Sequence, residues 1–182
     1  MGVDLEIMRL LARHRNPVAT SVARWAMNIG TNDRTLVLVV LVSLVVAVVV
    51  RRWRRGVLTV VGSVVLAEVV ARVFKHFIDR PRPPREVSLV FVHSSAMPST
   101  VAAMTAAGAV ALYAVVPWPG ERRWAACLLV LGAVWVGGAM VYLGAHWPSD
   151  VLAGWCVGLI FGGVVVRWSR RSGRPMREPI QP

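Results

Sequence analysis

The stretch Arg123–Val166, RWAACLLVLGAVWVGGAMVYLGAHWPSDVLAGWCVGLIFGGVVV, is apolar on both sides of a short polar knot at His146–Asp150. Its arms, 123–145 and 149–166, approach the roughly 20 residues that cross a bilayer. A turn this short brings His146 and Asp150 to one face of the membrane. Working outward, 57–78, 98–117 and a shorter run at 35–50 are similarly apolar. The pattern predicts an all-α integral membrane bundle of five transmembrane helices. Hydrophobic residues make up 56% of the 182 and mean hydropathy is +0.59, too apolar for a water-soluble fold of this size.

A net charge of +12 would point to nucleic acid in a soluble protein. Here the arginines gather at span ends, so no nucleic-acid partner is expected. Arg51, Arg52, Arg54 and Arg55 precede the second span, and Arg122 and Arg123 the fourth. Arg167, Arg170, Arg171, Arg174 and Arg177 follow the fifth. All three clusters fall on one side, which the positive-inside rule makes cytoplasmic, with Trp53, Trp118, Trp124 and Trp168 as an interfacial belt. The C-terminus is then cytoplasmic. The N-terminal segment, the loop from Asp79 to Met97 and the turn at His146 face the extracytoplasmic side of what is expected to be a bacterial-type plasma membrane.

Residues 1–34 read as an interfacial amphipathic segment interrupted at Asn16-Pro17, 35–168 as the membrane-embedded domain, and 169–182 as a basic, disordered tail. Asp4 and Glu6 precede any long apolar core, so no cleavable signal is expected and the first helix directs insertion. A partial crossing by 17–32 is the alternative, opposed by Arg24 and Asn28. Cys127 and Cys156 fall inside spans and are expected to act as small packing residues.

Glu68, Arg72, Lys75 and Asp79 follow one another at helical spacing, so they share one face of the second span. Ionisable groups at that depth need a partner or a wet cavity, and Glu68 with Arg72 is expected as a structural ion pair facing the bundle. Lys75 is the one lysine among 21 basic residues. It opens Lys75-His76-Phe77-Ile78-Asp79-Arg80-Pro81-Arg82-Pro83-Pro84-Arg85, a proline-stiffened cationic loop suited to phosphate. Pro98-Ser99 starts the third span, where Ser99 caps the helix and the first amides can meet an anion. His146 stands four residues before Asp150, so the carboxylate can hold the Nδ1 proton and leave Nε2 as a nucleophile. Asp150 after Pro148 also reads simply as a helix cap.

In these residues the chain resembles the type 2 phosphatidic acid phosphatase superfamily, the lipid phosphatases related to vanadium haloperoxidases. The family's first motif, K-x6-R-P, is matched by Lys75, Arg82 and Pro83. The second, P-S-G-H, stands as Pro98-Ser99-Thr100-Val101, and the third, S-R-x5-H-x3-D, as Ala139-Met140 followed by His146 and Asp150. The resemblance implies that His146 attacks phosphorus to form a phosphohistidine, that Asp150 orients it, and that Lys75, Arg82, Ser99 and Thr100 bind phosphate oxygens. No metal or other cofactor is implied.

Two residues of the family's pattern are replaced. Val101 stands where the resemblance puts the acid that protonates the leaving group, and Met140 where it puts a second phosphate-binding arginine. His93 is the only nearby group that could substitute as acid; a lone loop histidine is more often just solvated. A missing acid costs about 10²- to 10⁴-fold, and least for a leaving group that is already a tolerable anion. The expected activity is therefore hydrolysis of a lipid phosphate or, preferentially, a polyprenyl diphosphate. The rival from another class is a pseudoenzyme that binds lipid phosphates or serves as a partner subunit. A vanadate-dependent peroxidase and a plain transporter fit less of the sequence, and oligomeric state leaves no signature in it.

Overall fold

Each apolar run forms a helix, and the interruptions fall where the backbone demands them. The computed structural model describes residues 2–31, 33–117 and 120–172. The helices are α1 (Gly2–Arg13), α2 (Pro17–Thr31), α3 (Asp33–Val49), α4 (Arg54–Ile78), α5 (Thr100–Val115), α6 (Arg122–Tyr142) and α7 (Pro148–Ser172), and a 3-10 turn, Arg51–Trp53, leads into α4. No strand occurs among the described residues. Asn16 separates α1 from α2 and caps the latter, its Oδ1 accepting from the Ala19 amide at 2.8 Å.

Arg51–Ile78, Arg122–Tyr142 and Pro148–Ser172 are long and apolar enough to cross a membrane. The other two predicted spans are shorter as helices, Val37–Val49 and Thr100–Val115. The span expected at 123–145 stops at Tyr142 because Gly144, at φ 77°, turns the chain against the backbone of Ser88. The span expected at 149–166 runs on through Arg167 and Arg171 to Ser172, while residues 173–182, with Arg174 and Arg177, lie outside the described residues, as does Trp118.

Chain order makes α4 to α7 alternate in direction, and contacts at the basic end agree. Thr59 Oγ1 lies 2.7 Å from Ser169 Oγ, joining the start of α4 to the end of α7. Arg122 stacks 5.0 Å from the Tyr113 ring, joining α6 to the end of α5. The opposite end therefore gathers the C-termini of α4 and α6 and the N-termini of α5 and α7.

The most extensive helix pair is α5 with α7. Gly154, Gly158 and Gly162 recur every four residues on α7, and a Cβ there would strike the Ser99 carbonyl, the Ala103 carbonyl and Ala107 respectively. Without a hydrophobic force between helices in lipid, such small-residue stripes let backbones approach and gain dispersion contact. Helix α4 presents Thr59, Ser63, Ala67 and Ala71 inward on the same four-residue rhythm. Because these small residues take the contact stripe, Glu68 and Arg72 are pushed to its edge. Their ion pair forms at 2.6 Å, but the Arg72 side chain is 65% exposed, so it does not face the bundle interior as expected. Cys127 and Cys156 are likewise exposed rather than packed, since glycine and alanine hold the inward faces of α6 and α7.

Helix α1 lies across the end opposite the arginine clusters. Met8 is fully buried in a cluster with Val87, Ala96, Ala102, Val141, Trp147 and Val151, while Val3, Ile7 and Leu10 stay exposed. Its amphipathic pattern thus has one apolar side turned onto the protein. Helix α2 packs Ala23 and Ala26 against Ala139 and Leu143 of the α6 end.

Candidate active site

The connection 79–99 carries Asp79, Arg80, Arg82, Arg85 and Glu86, and hydrogen bonds tie it down along its length. Asp79 ends α4 in the left-handed region at φ 40°, and its carboxylate accepts from Ser95 Oγ at 2.6 Å. Lys75 Nζ donates to the Ser95 carbonyl at 2.8 Å, so Ser95 joins Lys75 to Asp79. The Ala96 amide reaches the Arg80 carbonyl, and Trp147 Nε1 reaches the Pro81 carbonyl, both within 2.9 Å. Arg15, from between α1 and α2, donates to the Val87 and Tyr142 carbonyls at 2.6 and 2.7 Å.

His146 is buried in the turn between α6 and α7. Its Nε2 lies 3.0 Å from Arg82 Nη1. A guanidinium only donates, so Nε2 accepts, its lone pair faces the cationic loop, and the ring proton belongs on Nδ1. Nδ1 faces Asp150 Oδ2 at 3.6 Å and has no hydrogen-bond partner among the described residues. That gap exceeds a hydrogen bond, so the expected orienting contact is an approach, not a bond, in this state. Burial pushes the imidazole from 6.5 down to about 4; Asp150 pulls it back, while Arg82 and Lys75 push it further down. Near neutral pH, His146 is an uncharged base.

Asp150 is fully buried, and both of its oxygens are engaged. Oδ2 accepts from the Trp147 amide at 2.9 Å, closing the first turn of α7 as a helix cap would, and Oδ1 accepts from Arg80 Nη1 at 2.6 Å. Capping and facing His146 are therefore compatible. Arg80 also donates to Ser149 Oγ at 2.7 Å and to Asp4 Oδ2 of α1 at 2.8 Å. Burial opposes the charge on Asp4, but hydrogen bonds from Ser149 and Arg80 outweigh it and hold the carboxyl below its ordinary range. Sequence reasoning passed over Arg80 inside the loop it quoted; nothing in the sequence marked Asp4, which lies 76 residues from Arg80.

Arg82 Nε and Nη2 donate to the Ser94 carbonyl and hydroxyl at 2.7 and 3.0 Å, and Nη1 also donates to the Ala145 carbonyl. Lys75 and Arg82 are thus held by Ser95 and Ser94 respectively. Ser99 is fully buried and caps α5, accepting from the Ala102 amide at 3.4 Å. Its own hydroxyl is directed at Met140 Sδ. Thr100 opens α5, half-buried. Val101, Met140 and Ala145 form one buried apolar cluster, bordered by Met27, Val90 and Val136. His93 is not brought to His146: it is exposed and packs edge-on against Phe91 at 4.6 Å. Beside Arg82 and Ala145 lies a cleft of about 400 Å³, walled also by Arg85, Ser88, Phe91 and Gly144.

A family model described as the PAP2 superfamily matches residues 56–174. An undecaprenyl-diphosphatase from Sulfolobus acidocaldarius is 34% identical over 113 residues, covering 59% of this chain and 52% of that protein, so the chain spans about half the length of the curated relative it matches. The fold superposes on a transmembrane PAP2 type phosphatidylglycerolphosphate phosphatase from Bacillus subtilis with a TM-score of 0.79 at 23% identity, over 97% of this chain and 88% of that one. Aquifex aeolicus LpxE superposes with a TM-score of 0.73 at 25% identity, over 90% and 94% of the two chains.

Proposed function

Because the chain belongs to the PAP2 superfamily, we propose that it is a membrane-embedded hydrolase of lipid phosphates or diphosphates that works through a phosphohistidine on His146. The observation that carries this reading is the buried, uncharged His146, with its Nε2 lone pair 3.0 Å from Arg82 and its Nδ1 turned toward Asp150. A phosphate arriving among Lys75, Arg82 and the N-terminus of α5 would exchange the Ser94 and Ser95 carbonyls for its own oxygens and free Nε2. Nε2 then attacks phosphorus, and the bond from phosphorus to the lipid-side oxygen breaks. Positive charge that grows on the ring is balanced by Asp150 as Nδ1–H closes on Oδ2. Water next attacks the phosphohistidine, giving its proton to the released phosphate and restoring the neutral ring. Positioning and fixed charge carry most of the rate.

The apolar cluster of Val101 and Met140 supports a diphosphate as substrate. Neither Val101 nor Met140 can protonate an alkoxide, whereas a diphosphate expels a lipid phosphate that is already a stable anion. The similarity to an undecaprenyl-diphosphatase supports the same preference. The arginine clusters lie at the end opposite His146, which supports an extracytoplasmic site and a cytoplasmic C-terminus.

The same cluster favours a second reading, a protein that binds lipid phosphates without turnover. Phosphate release from a polyprenyl diphosphate and from phosphatidate, by purified protein and its His146→Ala variant in detergent, separates them. The hydrolase reading expects His146-dependent release, faster from the diphosphate. Binding of the diphosphate with no release would establish the second reading, and faster release from phosphatidate would overturn the diphosphate preference.

A further inference from the structure

Arg80 does not take part in the chemistry just proposed, yet its guanidinium is held by two carboxylates and a hydroxyl. Its Nη1 meets Asp150 Oδ1 at 2.6 Å and its Nη2 meets Asp4 Oδ2 at 2.8 Å. Its guanidinium sits 5.3 Å over the Trp147 ring, and both Arg80 and Asp4 side chains are 14% exposed. Ser149 closes the ring, bonding to Arg80 through Oγ and to Asp4 through its amide and hydroxyl. Among the described residues, the hydrogen bonds and ion pairs of Arg80 go to Met97, Ser149, Asp150 and Asp4, not to His146, Arg82 or Lys75.

We infer that Arg80, clamped between Asp4 of α1 and Asp150 of α7, is a positioning residue for His146, and that α1 is thereby a working part of the site. Asp150 has no solvent to keep it charged or to fix its rotation. The guanidinium does both: it occupies Oδ1 along one edge, while the Trp147 amide holds Oδ2 where Nδ1 of His146 faces it. Truncating Arg80 leaves a buried carboxylate without its cation, the costly half of a broken pair, and frees Oδ1 so that Asp150 can turn away from Nδ1 of His146. Groups that orient a first ligand or base in this way typically cost about 10- to 100-fold in activity when removed. Asp4 acts one step further out, by keeping Arg80 extended toward α7 and sharing its charge.

The effect on catalysis rests on the hydrolase reading; the effect on the His146 ring does not. The experiment therefore uses both readouts on full-length protein in detergent, with Arg80→Met, Arg80→Lys and Asp4→Asn. Nitrogen-15 spectra of the histidine rings, assigned by comparison with His146→Ala, report the His146 tautomer. In Arg80→Met the ring is expected to lose its single Nδ1–H form, with Arg80→Lys restoring it in part and Asp4→Asn shifting it less. With polyprenyl diphosphate, kcat of Arg80→Met should fall about 10- to 100-fold while KM stays within about twofold, since Arg80 does not touch phosphate. A wild-type protein with no hydrolysis, whose His146 signals still move in Arg80→Met, would sink the hydrolase reading and sustain the positioning role. His146 signals unchanged in folded Arg80→Met overturn that role, whatever the rates. If Arg80→Met elutes as aggregate, Arg80→Lys and Asp4→Asn decide by the same signals.

Discussion

The Ser99 hydroxyl donates to Met140 Sδ across 3.8 Å at the N-terminus of α5. A thioether is a weak acceptor, so this contact occupies Ser99 loosely and yields to a phosphate oxygen. Replacing Met140 by Leu removes the acceptor and keeps the volume. Polyprenyl diphosphate hydrolysis is expected to stay within about twofold of wild type, because near-isosteric apolar exchanges cost little. A tenfold loss would assign the sulfur a role that this geometry does not give it.

Met140 shares a buried apolar cluster with Val101, so restoring a charge there by itself should go badly. Met140→Arg alone places a guanidinium among Val101, Val136 and Ala145, and an unpaired buried charge costs several kcal/mol, of order 3–5. Protein yield and thermal unfolding should both suffer. The double variant Val101→His with Met140→Arg gives both groups a phosphate to meet, and a double-mutant cycle with phosphate present should show favourable coupling, about 0.5–3 kcal/mol. Additive behaviour would count against a shared site.

Restoring an acid should matter more for the worse leaving group. Val101→His is expected to raise the rate on phosphatidate by about 10²- to 10⁴-fold and to change polyprenyl diphosphate turnover far less. Equal gains on both substrates would show that leaving-group protonation is not what Val101 removed.

His146 sets a pH dependence whose sign follows from its downward shift. If His146 is the nucleophile proposed above, its neutral form is the active one, so kcat/KM should rise as pH climbs through about 4 and be level across the ordinary imidazole range near 6.5. For stability, the folded protein holds fewer protons than the unfolded chain between about 4 and 6.5. The His146 contribution is therefore fully present above 6.5 and is lost as pH falls toward 4. Melting temperatures over that interval should fall more steeply for wild type than for His146→Gln; parallel curves would refute the shift.

Much of the site can be read from the sequence because its parts lie close along the chain. Lys75 and Arg82 flank one loop, His146 and Asp150 one turn, and the span pattern brings both to the same end. Glu68 and Arg72 show where local rules stop: spacing placed them on one face, but which face meets the bundle depended on Ala67 and Ala71 offering closer packing. The Asp4–Arg80–Asp150 chain was further out of reach. Its members come from three elements, and no periodicity or motif links them before the helices pack.

A last prediction concerns the α5–α7 contact. Gly158→Ala puts a methyl against the Ala103 backbone, which cannot move aside as a flexible side chain would. Overpacking of this kind costs about 1–3 kcal/mol, and a lowered melting temperature with reduced phosphate release is expected. Gly163→Ala, on an open face of the same helix, is the control and should change neither.

The glycine ladder also works as a ruler. Ser99 pairs with Gly154, Ala103 with Gly158 and Ala107 with Gly162, each step four residues, and the Ser99 amide bonds to the Asp150 carbonyl at 2.9 Å. A slip of one turn between the helices would shift the Ser99 end of α5 against the His146 turn by about 5.4 Å and wreck three backbone contacts together. Set by backbone contacts rather than by flexible side chains, this register keeps the Ser99 end of α5 beside the Asp150 end of α7.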